Sequence, residues 1–250
     1  MQDNTPSLEG KTALVTGAAR RIGAAICESL HGAGMNVLIH YRSSEESAQT
    51  LASRLNGRRP DSAVTAQADL LAPEGFKSLI KAAEQWGGLD LLINNASSFY
   101  PTPMGEADEA DWDELIGSNL KGPFFLSQAA MGSLRARRGQ IINIADIHGF
   151  RPLAGHPIYS VAKAGLIMLT KSLARELAPW IRVNGIAPGA ILWPEQGMTS
   201  EDQRQVLDKV PLRCSGKPED IANAVLFLSR DAPYVNGHIL SVDGGRNAVD

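Results

Sequence analysis

A tyrosine and a lysine four residues apart are the pair best suited to chemistry. Tyr159 and Lys163 stand at the start of a segment, 164–178, whose leucines recur at three- and four-residue spacing, which predicts an amphipathic helix. Residues four apart share one helix face, so the ammonium would lie beside the phenol. We expect that charge to favour the phenolate and lower the tyrosine pKa, as proton transfer near neutrality requires. The alternative is a half-buried aromatic beside a solvated lysine.

A glycine turn follows the first apolar segment. The sequence KTALVTG predicts a strand that ends at Gly17, and a helical pattern begins just after Gly23. Gly17 would allow a tight turn, Gly23 would let the helix approach the strand, and the helix N-terminus would offer amides to a pyrophosphate. The middle glycine of such dinucleotide-binding turns is replaced by Arg21, so an ordinary tight turn is the alternative.

The end of the second predicted strand, NVLIHY, indicates which dinucleotide would bind. NAD enzymes usually place an acid there for the ribose 2′-hydroxyl. This chain has Arg42, Ser43 and Ser44 before any acid. A guanidinium with two hydroxyls suits a 2′-phosphate, which favours NADPH. One of the serines could also cap the next helix in a capping box with Glu46, and the two roles are compatible.

Two further strand ends carry candidate ligand-binding residues. Asp69 and Leu70 could hold an adenine by a hydrogen bond and by packing, or Asp69 could cap the helix before Pro73. After the buried strand LDLLI come two asparagines and then Phe99 and Tyr100 in a proline-flanked loop. Turn chemistry explains the asparagines but not the aromatics. Ligands of open α/β sheets bind at the carboxyl ends of the strands, so this loop is a candidate ligand site.

Strands and helices alternate along the chain with no linker, repeat or low-complexity segment. This order predicts one α/β domain over 1–250, a Rossmann-like, doubly wound parallel sheet between two helical layers. A long helix over 111–138 is expected to bend near Gly122-Pro123. Residues 191–212 lack a strand pattern, and we expect them to form a mobile substrate flap with a short helix.

Composition limits the classes of function. The chain has 24 lysines and arginines against 27 acids, a formal net charge of −3. A slight acidic excess argues against nucleic acid and anionic membranes as partners. No apolar run reaches the ~18 residues of a bilayer span, and the N-terminus has no signal-peptide pattern. Cys27 and Cys214 lie in no Cys-x-x-Cys motif, so we expect free thiols, a cytoplasmic location and no metal site.

The motifs together resemble the short-chain dehydrogenase/reductase superfamily over essentially the whole chain, through Thr16-Gly17, Asn94-Asn95-Ala96, Asn119, and Tyr159 with Lys163. The resemblance implies that Asn119, Tyr159 and Lys163 are catalytic, together with the residue thirteen before the tyrosine. That residue is usually serine in the superfamily and is Asp146 here. A carboxylate that merely caps the loop after strand five is the alternative for Asp146.

A closer resemblance is to the pteridine reductases. It rests on Arg21, on HYRSS after strand two, on NNASSFYPTP after strand four and on Asp146. In that family the residue matching Arg21 lies near cofactor and pterin, and those matching Ser97 and Phe99 bind cofactor and stack the pterin against the nicotinamide. The resemblance also implies NADPH, a small-molecule pterin substrate, and a homotetramer formed through the helices at 111–138 and 159–178.

Two sets of contacts follow from this resemblance. The cofactor set comprises Gly17, Arg21, Ile22, Gly23, Tyr41, Arg42, Ser43, Ser44, Asp69, Leu70, Asn95, Ala96, Ser97, Tyr159, Lys163, Pro188 and Gly189. The substrate set comprises Arg21, Ser97, Phe99, Asp146, Tyr159 and, in the flap, Trp193.

The residue types favour a pterin over other substrates. An ionised carboxylate accepts hydrogen bonds but cannot donate one to a ketone, so Asp146 suits a ring with N–H donors. Phe99 offers a flat apolar face to a planar ring. The alternatives are a 3-oxoacyl or sugar carbonyl reductase and a non-catalytic nucleotide-sensing protein, which would not need Asn119, Tyr159 and Lys163. The sequence does not rank dihydrobiopterin-like, dihydromonapterin-like and dihydrofolate substrates.

Overall fold

The computed structural model describes residues 7–192 and 199–249. Its centre is a parallel sheet of seven strands, which are β1 (Thr12–Val15), β2 (Asn36–Tyr41), β3 (Ala63–Gln67), β4 (Leu91–Asn94), β5 (Gln140–Ile144), β6 (Arg182–Pro188) and β7 (Ile239–Val242). The strand order is β3-β2-β1-β4-β5-β6-β7, and every neighbouring pair is parallel. The predicted doubly wound parallel sheet is confirmed.

Helices cover both faces of this sheet. They are α1 (Arg21–Gly32), α2 (Glu45–Asn56), α3 (Phe76–Lys81), α4 (Glu109–Ile116), α5 (Gly122–Ala136), α6 (Pro157–Glu176), α7 (Ser200–Asp208) and α8 (Pro218–Leu226). Apolar residues of α1, α2 and α8 form one core cluster with the sheet, and those of α3, α5 and α6 form a second. Within β1, Ala13 and Val15 belong to the first cluster and Leu14 to the second, because successive strand side chains point to opposite faces. None of the described helices is long and apolar enough to cross a bilayer.

The long helix predicted over 111–138 is interrupted directly before Gly122-Pro123, close to the place expected. A π-helical turn, Gly117–Lys121, separates α4 from α5, and Pro123 stands in the first turn of α5. The backbone N–H groups of a helix's first turn have no partner within the helix, so a proline, which lacks this N–H, is tolerated there. Pro123 therefore stands at the beginning of α5 and does not bend a continuous helix. The π turn contains Asn119, which is only 1% exposed, although a polar residue within a helix is usually solvated.

A buried polar network joins the sheet to α6. The side-chain amide of Asn94 in β4 donates to Asn143 Oδ1 in β5 (2.8 Å), and Asn143 Nδ2 donates to Thr170 Oγ1 in α6 (2.9 Å). Thr170 in turn donates to the carbonyl of Leu166. Because the three side chains are buried, each depends on the others for its hydrogen bonds. The network therefore fixes α6, which carries Tyr159 and Lys163, against the middle of the sheet.

Removing the central amide should destabilise the fold. Asn143→Ala would remove one buried hydrogen bond from Asn94 and one from Thr170, leaving a long contact of Asn94 with Ser127 and the bond of Thr170 to Leu166, so we expect the free energy of unfolding to fall by about 1–3 kcal/mol. Gln49→Ala is the control, since it removes an exposed hydrogen bond to Thr65 and should change stability by less than about 0.5 kcal/mol. Chemical denaturation measures both. Equal losses in the two variants would show that the network contributes no more than a surface contact.

Candidate functional site

Asp146 and Tyr159 meet at the carboxyl edge of the sheet. Asp146 lies just beyond β5, and Tyr159 lies in the first turn of α6, which Pro157 begins. The Tyr159 hydroxyl donates to Asp146 Oδ2 (2.8 Å). The other carboxylate oxygen, Oδ1, accepts from the backbone N–H of His148 (2.8 Å) and so caps a short 3₁₀ turn, Ile147–Gly149. The capping role and the contact with Tyr159 are thus both present, one on each oxygen.

The acidity of Tyr159 differs from the expectation. Burial, the negative charge of Asp146 and its hydrogen bond raise the pKa of Tyr159 well above the ordinary value, and a hydrogen bond from Ser97 opposes this rise. The prediction that Lys163 lowers this pKa is therefore wrong. The spacing of Tyr159 and Lys163 correctly indicated that they share a helix face, but it did not reveal the carboxylate of Asp146, which favours the neutral phenol. Tyr159 is held as a protonated hydrogen-bond donor.

Lys163 is a buried cation, 2% exposed. Its ammonium donates to the carbonyl of Ile144, the last residue of β5, at 3.0 Å, and stands 5.6 Å from the centre of the Tyr159 ring. Burial lowers the pKa of Lys163 to about 8, and the charge of Asp146 acts in the opposite direction. The ammonium is therefore retained at neutral pH within a region that water does not reach.

Asn119 and Ser97 complete the polar side of the site. Ser97 Oγ donates to Asn119 Oδ1 (2.6 Å), and Asn119 Nδ2 donates to the carbonyls of Ser98 (2.9 Å) and Leu115 (3.0 Å). The π turn thus links the loop after β4 to the helix layer. Both Asn119 and Ser97 were predicted as site residues, and the structure places Ser97 next to both Asn119 and Tyr159.

Phe99 forms an aromatic wall beside Tyr159. Its ring is 51% exposed and meets Tyr159 edge-on, with centroids 4.8 Å apart and planes at 76°. One face stacks on His156, at 4.8 Å and 10°. His156 Nδ1 lies 2.9 Å from the carbonyl of Ala154, so that nitrogen carries the proton and donates. The sequence analysis missed His156, whose only signal is its position just before the predicted helix of Tyr159.

A cavity of about 380 Å³ lies beside this polar cluster, at the switch point between β1 and β4. It is lined by most of the predicted cofactor residues, namely Gly17, Arg21, Ile22, Gly23, Tyr41, Arg42, Ser43, Ser44, Asp69, Leu70, Asn95, Ala96 and Ser97. Tyr159, Lys163, Pro188 and Gly189 are not part of its lining. Pro188 ends β6 and Gly189 follows it, at the same edge of the sheet.

The glycine turn forms a close-fitting floor for this cavity. Gly17 adopts φ +59°, and a Cβ on it would stand 2.8 Å from Ala96 Cα. A Cβ on Gly23 would stand 2.5 Å from the carbonyl oxygen of Gly17. Arg21, at the position of the usual middle glycine, has φ +55°, a left-handed conformation that costs a non-glycine residue about 1–2 kcal/mol. The backbone path of a dinucleotide turn is thus kept, and a guanidinium is added to the cavity.

His40 supports the turn from below and was also missed by the sequence analysis. Its Nδ1 accepts from the Gly17 N–H (3.1 Å), so Nε2 carries the proton and donates to the carbonyl of Ala68 (3.1 Å). Burial lowers the pKa of His40 to about 4, which keeps the ring neutral and this pattern intact. A lone histidine within a strand gives no sequence signal for such a role.

The far end of the cavity is polar. Ser44 is the residue before α2, but its side chain makes no capping hydrogen bond, so the proposed capping box at Ser44 is not formed. Arg42 Nη1 lies 3.9 Å from Glu114 Oε1, and both groups are partly exposed. Asp69 Oδ1 accepts from the N–H of Leu71 (2.9 Å), and Ala72, not Asp69, precedes the 3₁₀ turn at Pro73. The helix-cap alternative for Asp69 is therefore wrong.

The predicted flap at 191–212 is described only in part. It contains α7, which agrees with the short helix expected there. Trp193, a predicted substrate contact, lies outside the described residues. The described residues contain no cluster of histidine, cysteine, aspartate or glutamate that could hold a metal ion. Both cysteines are free thiols, with Cys27 buried and Cys214 exposed.

Known proteins match the chain over nearly its whole length. A family model described as enoyl-(acyl carrier protein) reductase matches residues 17–247. The chain is 38% identical to pteridine reductase 1 of Leishmania tarentolae, over 96% of this chain and 98% of the relative. It is 39% identical to the 3-oxoacyl-(acyl-carrier-protein) reductase FabG of Staphylococcus aureus strain Mu50, over 94% and 97%. A blue fluorescent protein from a metagenomic library, solved in complex with NADPH, matches with a TM-score of 0.90 and 34% identity, over 96% and 99%.

The ionisation of Lys163 can be measured directly. In protein labelled with ¹³C-lysine, the Cε signal of Lys163 should titrate near pH 8, because burial disfavours its charged form. Asp146→Asn removes the charge that raises this pKa, so the midpoint should move to lower pH. Lys163→Met assigns the signal. A wild-type midpoint near the ordinary value for lysine, or no change in Asp146→Asn, would contradict this account of the site.

Proposed function

The chain belongs to the short-chain dehydrogenase/reductase superfamily, and we propose that it reduces pterins to their tetrahydro form. It is an oxidoreductase that uses NADPH. The observation that carries the pterin proposal is the contact between Asp146 and Tyr159. A carboxylate occupies the place of the superfamily serine, and it accepts a hydrogen bond from the tyrosine hydroxyl at 2.8 Å. Phe99 supplies an aromatic wall next to this pair.

The residues of the cavity suit a dinucleotide. The tight glycine turn and the N-terminus of α1 would hold the pyrophosphate, because backbone N–H groups there can face an anion. Arg42 with Ser43 and Ser44 would hold the 2′-phosphate, since Ser44 is not engaged in a capping bond. The bound nicotinamide supplies the hydride. The protein aligns the substrate and moves the proton.

Proton delivery would depend on Tyr159 and on the two ionisable groups beside it, Asp146 and Lys163. Tyr159 is neutral at working pH and donates from its hydroxyl, so it can give its proton to a substrate atom on which negative charge develops. The Lys163 ammonium, 5.6 Å from the ring, would then stabilise the phenolate. Asp146 accepts hydrogen bonds from the Tyr159 hydroxyl and from the backbone N–H of His148, and it can share the transferred proton with Tyr159. Ser97 and Asn119 would fix the position of the substrate edge.

A pterin fits these groups better than a simple ketone does. Asp146 can accept hydrogen bonds from the N–H and amino groups of the pterin ring. A ketone oxygen instead needs a hydrogen-bond donor, which an ionised carboxylate cannot be. A planar ring can stack against an exposed aromatic face such as that of Phe99. The 38% identity to pteridine reductase 1 of Leishmania tarentolae agrees with this proposal.

Reduction of a 3-oxoacyl carbonyl is the second candidate. It is supported by the 39% identity to the FabG protein of Staphylococcus aureus and by the description of the matching family model. Asp146 argues against this reaction, because the serine usual in the family would donate a hydrogen bond to the carbonyl oxygen and an ionised carboxylate cannot. The two candidates share the cofactor and differ in the group that Asp146 meets.

A homotetramer is also proposed. Large apolar side chains on α4, α5 and α6 are exposed in the single chain, namely Trp112, Phe124, Phe125, Met131 and Met168. Exposed apolar groups of this size on neighbouring helices are typical of an interface. A second copy of the chain would cover them, as the resemblance to pteridine reductases implies.

The cofactor preference can be tested at Arg42. Loss of its charge-assisted contact should cost about 1.5–3 kcal/mol, so Arg42→Ala should raise the KM for NADPH by roughly ten- to a hundredfold and leave that for NADH almost unchanged. Arg54→Ala is a matched control, since Arg54 is similarly exposed and also pairs with a glutamate but lies outside the cavity. Equal kcat/KM for NADPH and NADH in the wild type would contradict the assignment.

The substrate class can be tested with Asp146→Ser. Its hydroxyl can still accept from His148 N–H, so the turn should persist, but it cannot accept substrate protons as a carboxylate does. Turnover of dihydrobiopterin should fall by about 10²–10⁴-fold. Turnover of a panel of ketones, including an acetoacetyl thioester, should be kept or improved. Thermal melts control for folding. Full pterin turnover in this variant would refute the role of the carboxylate.

A further inference from the structure

Glu114 of α4 stands at the rim of the cavity that suits the dinucleotide, and the sequence analysis missed it. Its Oε1 lies 3.9 Å from Arg42 Nη1 and accepts a hydrogen bond from Ser98 Oγ (3.1 Å). Arg42 and Ser98 both line the cavity. One carboxylate oxygen therefore faces two lining residues at once, the arginine that follows β2 and a serine of the loop after β4.

The packing of its helix fixes the place of Glu114. One turn further along the chain, a Cβ on Gly117 would stand 2.5 Å from Leu71 Cδ2, so the helix layer lies directly against a residue that lines the cavity. The backbone carbonyl of Glu114 accepts from Ser118 Oγ (2.8 Å). The carboxylate is thus held near Arg42 by contacts that do not depend on the ion pair itself.

The pair of Arg42 and Glu114 is loose. Its 3.9 Å separation exceeds the length of a charge-assisted hydrogen bond, and both side chains are partly exposed. Within 7–192 and 199–249, Glu114 is the one acidic side chain at ion-pairing distance from Arg42. An ion pair of this kind stabilises a protein only slightly, so a stronger anion can replace its carboxylate at little cost.

The 2′-phosphate of NADPH is such an anion. It carries more negative charge than a carboxylate near neutral pH, and it offers a guanidinium two oxygens. NAD enzymes place an acid at the end of the second strand, and this chain has none there before Glu45. The fold nevertheless brings the acid Glu114 to Arg42 from α4, so two anions would compete for one guanidinium.

We propose that Glu114 is a specificity-determining residue, which pairs with Arg42 in the cofactor-free enzyme and is displaced from it by the 2′-phosphate of NADPH. The proposal rests on the proposed role of Arg42 as the ligand of that phosphate. The displaced carboxylate keeps the hydrogen bond from Ser98, so it is not left without a partner. Glu114 thus lowers the affinity for NADPH and has no such effect on NADH, which lacks the phosphate.

Calorimetric titration of the substrate-free protein with NADPH and with NADH tests this exchange without turnover. Glu114→Gln removes the charge and keeps an oxygen that can accept from Ser98, so the loop after β4 should stay in place. The Kd for NADPH should fall by about two- to fivefold at low salt, the range expected for a partly exposed ion pair, and the Kd for NADH should not change.

Glu28→Gln is the matched control for this titration. Glu28 pairs with Arg54 at similar exposure, and neither residue lines the dinucleotide cavity, so the Kd for NADPH should stay at the wild-type value. An unchanged Kd for NADPH in Glu114→Gln, or an equal fall for NADH, would overturn the proposal.

The same titrations in an Arg42→Ala background separate this inference from the function on which it rests. With no guanidinium to release, Glu114→Gln should change the Kd for NADPH by less than about 1.5-fold. An equal gain in both backgrounds would show that Glu114 acts on the cofactor directly, and it would overturn the exchange. If Arg42→Ala leaves NADPH binding unchanged, the phosphate role of Arg42 is wrong and the exchange with it. If Arg42→Ala weakens binding and Glu114→Gln has no effect, that role stands and the exchange alone is wrong.

Discussion

The active site depends on one buried positive charge, the ammonium of Lys163, being held away from water. An ammonium such as that of Lys163 loses several kcal/mol of hydration when it is buried, and its neighbours must compensate. The Ile144 carbonyl and the charge of Asp146 do so, and both come from the end of β5. Gly149 packs against the Lys163 backbone so closely that a Cβ there would stand 2.9 Å from it. Strand, turn and helix must therefore hold their positions together.

The same carboxylate raises the pKa of both of its neighbours, and so it keeps one of them charged and the other neutral. It raises the pKa of Lys163, which preserves the cation, and it raises the pKa of Tyr159, which preserves the phenol. The protonation of both Tyr159 and Lys163 therefore depends on the charge of Asp146. A serine at position 146 would remove the negative charge and leave burial as the main cause that raises the pKa of Tyr159. Replacement of that serine by Asp146 thus changes the electrostatics of the whole site as well as one contact.

Local patterns in the sequence predicted the sheet and its functional edge well. Apolar runs gave the strands, and the glycines near Gly17 gave the turn that meets Ala96. Features that depend on three-dimensional surroundings were missed. Spacing alone does not reveal the burial and the carboxylate that set the pKa of Tyr159. The π turn at Gly117–Lys121 and the partners of His40 and His156 likewise arise from tertiary packing, which has no short-range sequence signal.

The order of the sheet has a consequence for synthesis on the ribosome. β1 to β3 emerge first and build one half outward, then β4 joins the free side of β1, and β5, β6 and β7 follow, each beside its predecessor. From β4 to β6, the newest strand has an open edge that the next strand to emerge covers. The aspartate, tyrosine and lysine are translated after more than half of the chain, and β7 follows them. A stalled nascent chain would thus expose the unpaired backbone groups of a strand edge, which can pair with other chains, before its active site is complete.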